Sequence, residues 1–64
     1  MYRYVVEIMS GGECTSVAYA TTTSPQAAAE WITGRDVQDQ QQESEWVRVT
    51  DRSNRVVYKF AFKF

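Results

Sequence analysis

The chain has 64 residues, seven of them basic and eight acidic, which gives a formal net charge of −1 at pH 7. This length allows one small domain, and the near-neutral charge provides no overall attraction to nucleic acid or acidic lipid. A single cysteine and the lack of histidine exclude an intrachain disulfide and the usual zinc sites, and they indicate a reducing, cytoplasmic location. No apolar run approaches the about 20 residues of a membrane-spanning helix, so no membrane association is expected.

A β-hairpin is the first element that the sequence predicts. Residues 2–9 alternate, and the side predicted to face the core carries Tyr2, Tyr4, Val6 and Ile8. Gly11 and Gly12 predict a two-residue turn, because both accept a positive φ. Pairing across this turn predicts a second strand from about Cys14 to Thr22, with Ile8 opposite Thr15, Val6 opposite Val17 and Tyr4 opposite Tyr19. The outer side of this hairpin would then carry mainly small residues.

A short helix and a polar loop are predicted next. Ser24 has the chemistry of an N-cap, Pro25 suits the first helical position, and Gly34 suits the end of the helix. The stripe predicted to face the sheet consists of Ala28, Trp31 and Ile32. Residues 35–44 are polar without a sustained apolar period, which predicts a mobile loop.

A second hairpin is predicted from Trp46 onward. Val47 and Val49 point inward, and residues 51–54, Asp-Arg-Ser-Asn, have the composition of a turn. The last strand gives the strongest strand signal in the chain, with an inward side made of Val56, Tyr58, Phe60, Phe62 and Phe64.

Together these elements predict one α+β domain over residues 1–64. The expected architecture is a four-stranded, largely antiparallel sheet in ββαββ order, with the short helix packed on one face. The predicted core is Tyr2, Tyr4, Val6, Ile8, Val17, Tyr19, Ala28, Trp31, Ile32, Val47, Val49, Val56, Tyr58, Phe60 and Phe62. One short helix does not easily cover so many inward aromatic side chains, so we expect a curved sheet or a second chain that completes the cover.

The residues with chemical potential do not form a recognisable catalytic set. The usual base near neutral pH is missing without histidine, and Cys14 beside Glu13 is expected to be an inert thiol. Asp36, Asp39 and Glu43 lack the ligand spacing and turn glycine of a calcium loop. The sequence therefore predicts no enzyme activity, no cofactor and no metal site.

Three features predict binding to other chains. The outward row of the second hairpin contains the candidate partner-binding residues Trp46, Arg48, Val57, Lys59 and Lys63. Tryptophan and arginine are enriched at interface hot spots, but the same row also suits single-stranded nucleic acid or an ordinary solvated surface. The outer side of the first hairpin suits close approach by another chain. The aromatic strand at residues 60–64 is predicted to lie at a sheet edge, where it could pair with another strand.

From these features we expect a small non-enzymatic protein-binding module. It would self-associate, as a homodimer, through the uncovered sheet face or the edge strand, and it would mask the surface of a partner protein. Its size and element order are similar to those of small accessory proteins of bacteriophages and mobile elements, which often inhibit a host enzyme, although no motif assigns a family. The alternative is a nucleic-acid-binding protein that uses the basic C-terminal hairpin, since five of the seven basic side chains lie in residues 46–64.

Overall fold

The computed structural model describes residues 2–40 and 42–63. These residues form six elements in chain order: β1 (Tyr2–Ser10), β2 (Glu13–Thr22), α1 (Pro25–Thr33), β3 (Val37–Asp39), β4 (Glu45–Asp51) and β5 (Val56–Phe62). The strands make one antiparallel sheet in the order β2-β1-β4-β5-β3. The α+β class with a helix on an antiparallel sheet is confirmed, but the described sheet has five strands and the element order is ββαβββ. In the described ranges, no helix is long and apolar enough to cross a lipid bilayer.

The helix begins and ends where its capping residues predict. The Ser24 hydroxyl accepts a hydrogen bond from the Ala27 N–H at 3.1 Å, and Pro25 occupies the first turn. Gly34 adopts a φ of 68°, and its N–H donates to the Glu30 carbonyl at 2.8 Å. A left-handed glycine at this position closes the helix without the steric cost that a Cβ atom would add.

The face that α1 presents to the sheet differs from the predicted stripe. Ala28 and Ala29 are fully buried and Ile32 is half-buried, whereas Trp31 is 68% exposed. With 3.6 residues per turn, Trp31 points about 110° away from the midline between the two alanines, while Ile32 lies on that midline. The placement of Trp31 in the core is therefore wrong.

The first hairpin contains a β-bulge that shifts its register. Gly11 and Gly12 form the predicted two-residue turn with φ of 57° and 87°. Beyond the turn, Met9 pairs with Cys14 and Ile8 pairs with Ser16, which leaves Thr15 as the additional residue. The Thr15 hydroxyl donates to the Ile8 carbonyl at 3.1 Å, so the bulged residue is itself tied to β1. A bulge of this kind moves every later side chain of its strand to the other face.

As a result, the predicted pairs of Ile8 with Thr15, Val6 with Val17 and Tyr4 with Tyr19 are wrong. Val6 lies opposite Ala18, and Tyr4 lies opposite Ala20. The alanines of β2 therefore lie on the side of the core, where Ala20 packs with Ala28 and Ala29 in one buried cluster. Small side chains on both surfaces allow the helix to approach the sheet closely.

The core follows the predicted alternation in β4 and in the middle of β1, whereas β5 contributes only Phe60 to the buried cluster. Its buried cluster consists of Tyr4, Val6, Ala20, Ala28, Ala29, Val37, Val47, Val49 and Phe60. The predicted core residues that are instead exposed are Tyr2, Val17, Tyr19, Trp31, Val56 and Tyr58. A nine-residue helix is only about 14 Å long, whereas the chain extends over 29 Å. The helix therefore covers the centre of the sheet and leaves Tyr2, Val56 and Tyr58 at its margin.

The segment predicted as a mobile loop contributes a strand. β3 pairs with β5, with Val37 opposite Phe62, and the Glu30 carboxylate accepts the Val37 N–H at 3.2 Å. The loop prediction is therefore wrong for residues 37–39. The sequence gives no strand signal there, because three residues with a single apolar side chain show no period. The edge position predicted for residues 60–64 is also wrong where it can be compared, because β5 lies between β4 and β3. Gln41 and Phe64 lie outside the described residues.

The second hairpin brings together the two sets of side chains that were predicted to point inward. Val47 lies opposite Phe60 and Val49 lies opposite Tyr58, so the inward sets of both strands coincide. The buried Asp51 carboxylate accepts the N–H groups of Ser53, at 2.8 Å, and Asn54, at 3.3 Å. Its side chain therefore fixes the turn that its composition predicts.

Candidate protein-binding surface

The sheet face opposite α1, here called the outer face, presents its side chains in three rows across β2, β1, β4 and β5. The register defines an apolar row of Tyr19, Val5, Thr50 and Val57. The neighbouring charged row consists of Val17, Glu7, Arg48 and Lys59. The third, the tryptophan row, consists of Cys14, Met9, Trp46 and Ala61.

The apolar row exposes large side chains that contribute little to the core. Tyr19 is 69% exposed and Val57 is 49% exposed at its two ends, with half-buried Val5 between them. Val17, in the adjacent row, adds a further side chain that is 51% exposed. The Arg52 guanidinium lies 5.7 Å from the centre of the Tyr19 ring and places a cation at the rim of this patch. Exposed apolar side chains that share one face with a polar rim are typical of an interaction surface.

The charged row is organised by an ion pair. Arg48 lies opposite Lys59, which resolves the register that the sequence left open. The Arg48 guanidinium donates to both carboxylate oxygens of Glu7, from Nε at 3.0 Å and from Nη2 at 2.8 Å. These hydrogen bonds lower the pKa of Glu7, although partial burial acts in the opposite direction, and they raise the pKa of Arg48. The carboxylate thus relieves the repulsion between the two cations.

The tryptophan row is the best-packed part of the outer face. Trp46 is half-buried, and its neighbours in the adjacent strands, Met9 and Ala61, are buried. The Lys59 ammonium lies 5.6 Å from the centre of the Trp46 ring, within the range of a cation–π contact. Trp46 therefore anchors this end of the outer face, and Lys59 forms a charged rim beside it.

The structure brings most of the predicted site residues together. Trp46, Arg48, Val57 and Lys59 share the outer face of β4 and β5. Lys63 is exposed one residue beyond β5, where its N–H donates to the Asp36 carbonyl at 3.0 Å.

Sequence reasoning placed Val17 and Tyr19 in the core and so missed their contribution to the outer face. Nothing in the chemistry of Thr15 signals the bulge that moves them. The available signal is the alanine pair of α1, because a helix face made of Ala28 and Ala29 packs best over small side chains in the strand beneath it.

Two clefts lie among the described residues. One cleft of about 310 Å³ is lined by Arg35, Glu43, Ser44, Glu45 and Phe62. A second, of about 350 Å³, lies at the end of the outer face and is lined by Arg3, Tyr4, Tyr19, Ala20, Thr21 and Arg52. Within residues 2–40 and 42–63, no group of three or more acidic or cysteine side chains is placed to hold a metal ion.

Comparison with known proteins assigns no family to the chain. No protein-family model, curated protein or solved structure matches it. The geometry and chemistry of the outer face are therefore the observations from which its function is inferred.

Proposed function

We propose that this chain is a non-enzymatic protein-binding module that masks the surface of a partner protein with its outer face. The observation that supports this function is the exposure of Val17, Tyr19 and Val57 on the side of the sheet away from the core. Full burial of a large apolar side chain contributes about 1.5–3 kcal/mol relative to full exposure. Because these side chains are between about half and two thirds exposed, a partner surface can recover a corresponding part of that free energy.

The size of the molecule limits the interface that one face can form. The whole chain measures 29 Å and 21 Å along its two longest axes, so a face that spans it offers a projected area of about 600 Å² at most, compared with the ~800 Å² that each partner contributes to a standard interface. The aromatic side chains of Tyr19 and Trp46 supply the anchors that dominate such interfaces, and the cations of Arg52 and Lys59 stand beside them. Because these rim charges are positive, the face favours a partner surface with acidic residues.

Single-stranded nucleic acid is the alternative occupant, and it would need an open aromatic ring with free cations along the strand. Arg48, the central cation of the predicted basic hairpin, is held by Glu7 in two hydrogen bonds. Lys59 already contacts the Trp46 ring. Two of the predicted cations are therefore engaged within the protein, and a protein partner is the better fit.

Site-specific photo-crosslinking tests this function. We place the photoreactive residue p-benzoylphenylalanine at position 19 or 57 on the outer face and irradiate the protein in an extract of its source cells. The matched control carries the same residue at position 31, since Trp31 is equally exposed but lies on the helix. The proposal predicts one discrete protein adduct from positions 19 and 57 that is missing from position 31.

The same experiment separates the alternatives. Replacing Lys59 by glutamine should leave most of the adduct formed from position 19, because the apolar contacts remain. Equal adducts from all three positions, or adducts that disappear after nuclease treatment, would contradict the proposed function. The nuclease result would indicate the nucleic-acid alternative instead.

A further inference from the structure

The two edges of the sheet are not equally protected. In the described sheet, one edge consists of the three residues of β3 and of the start of β5, residues 56–58, which β3 does not pair, whereas β2 forms the other edge with ten residues. Along an antiparallel strand, backbone N–H and C=O groups alternate between the two sides. β2 pairs with β1 on one side, and its other side offers backbone groups to an additional strand.

β2 carries few of the devices that block such pairing. Edge strands are normally protected by charges, proline, bulges along the strand or short length. From Cys14 to Thr22 the sequence contains neither a charged residue nor a proline, and the bulge at Thr15 lies next to the turn. Beyond it, seven consecutive residues, Ser-Val-Ala-Tyr-Ala-Thr-Thr, continue the strand without interruption. Such an edge is a template for strand addition.

We infer that β2 binds the β2 strand of a second copy of this chain, in antiparallel orientation, to form a continuous ten-stranded sheet. The inference rests on the proposed protein-binding function, for which it names one partner, but it uses the sheet edge and not the outer face. The two-fold axis stands perpendicular to the sheet at Ala18, so the same strand serves both copies.

The sequence of β2 is complementary to itself in this register. Val17 lies opposite Tyr19 of the second copy on the outer face, and this pairing of a β-branched with an aromatic residue is favourable. On the inner face, Ser16 lies opposite Ala20 of the second copy, and both side chains are small. No charges of like sign meet along the shared edge.

Charge distinguishes this arrangement from a dimer that stacks two outer faces. Stacking would enclose the rim cations of both copies, Arg52 and Lys59, in one interface, in which the Glu7 carboxylate is already held by Arg48. Edge pairing keeps these cations apart and places both outer faces on the same side of the extended sheet. It therefore enlarges the proposed partner-binding surface without covering it.

Sedimentation equilibrium with two matched variants tests the edge. The wild-type chain is expected to show twice its monomer mass of 7.4 kDa at micromolar concentration. Val17→Lys places two lysines diagonally across the new pairing and should weaken the dimer by about tenfold or more. Val57→Lys adds the same charge to the outer face on β5, three strands away from β2, and should leave the dissociation constant within about twofold.

Pulsed electron paramagnetic resonance, which measures the distance between two spin labels, then tests the register of the β2–β2 pairing. In a chain with Cys14→Ser and Thr21→Cys, spin labels on the two copies should lie about 20 Å apart at the backbone, since six residue steps separate the positions at about 3.4 Å each. A monomer at all concentrations up to the millimolar range would overturn the inference and leave the crosslinking pattern of the outer face unaffected. A dimer that is broken by Val57→Lys but not by Val17→Lys would also overturn it, as would a spin-label distance that fits no antiparallel β2 pairing.

Discussion

The two hairpins of the sheet use their apolar side chains in opposite ways. In β4 and β5, the inward residues Val47, Val49 and Phe60 meet in the core, and Asp51 fixes the turn between the strands. In β1 and β2, the bulge at Thr15 turns Val17 and Tyr19 to the outer face and leaves Ala20 beneath the helix. The second hairpin thus builds the core, whereas the first divides its strands between core and surface.

This difference shows that turn chemistry alone does not fix which face of a strand is buried. Both turns form where their composition predicts. One additional residue beyond the Gly11–Gly12 turn nevertheless exchanges the two faces of β2, so that the side chains predicted to point inward point outward. The side chains that α1 packs against the sheet include Ala28 and Ala29. Such a helix face packs more closely over alanine side chains of β2 than over valine and tyrosine.

The largest expected effect is the loss of a core side chain from the second hairpin. Phe60→Ala should lower the free energy of unfolding by about 3–5 kcal/mol, which is comparable to the whole stability of about 3–5 kcal/mol expected for a domain of this size. Phe60→Leu, at about 1 kcal/mol, keeps the effect measurable by urea denaturation. Tyr19→Ala in the first hairpin should cost less than about 0.5 kcal/mol. If Tyr19→Ala and Phe60→Ala lowered the free energy of unfolding equally, the difference proposed between the two hairpins would be contradicted.

An intermediate effect is expected from replacing Ala20, which packs beneath the helix, by a larger side chain. Ala20→Leu should lower the free energy of unfolding by about 1–3 kcal/mol, because the buried site beside Ala28 and Ala29 has no room for the larger side chain. Thr21→Leu, one residue further along β2, is the control and should be nearly neutral, since position 21 is exposed. If thermal denaturation ranks these two variants in the reverse order, the bulged register is wrong.

The ion pair of the outer face should give a smaller, pH-dependent effect. Because Arg48 lowers the pKa of Glu7 in the folded state, the pair stabilises the fold above the unfolded-state pKa of about 4.3, and this contribution is lost as pH falls through the lower folded-state pKa. Because Arg48 is partly exposed, Glu7→Gln should cost only about 0.5–1 kcal/mol at pH 7. The cost should be smaller at pH 2, because protonation of Glu7 removes the charge that Arg48 contacts. Urea denaturation at both pH values measures it, and an equal cost at pH 2 would mean that the charge is not responsible.

The smallest effect is expected from deleting Thr15. In the bulged register the deletion converts the hairpin to a regular one and leaves the pairing of Val6 with Ala18 unchanged. The free energy of unfolding should therefore change by no more than about 0.5 kcal/mol. In an unbulged register, the same deletion would exchange the two faces of β2 and unfold the domain, so circular dichroism of this one variant separates the two arrangements.

The predictable parts of the molecule are those in which a signal is local. The caps of α1 and the alternation of β4 and β5 are visible in neighbouring residues, and so is the outward row with Trp46 and Lys59. The bulge at Thr15 and the strand at residues 37–39 depend instead on contacts made far along the chain. For this reason the sequence located half of the outer face and assigned the other half, Val17 and Tyr19, to the core.

Both proposals depend on Tyr19 lying on the outer face and Ala20 lying beneath the helix. Nuclear Overhauser contacts between assigned side chains measure this arrangement directly. We predict contacts from the Ala20 methyl group to Ala28 or Ala29, and contacts from the Tyr19 ring to Val5. Contacts from the Tyr19 ring to Ala28 would contradict the bulged register and, with it, the outer face and the β2 edge as binding surfaces.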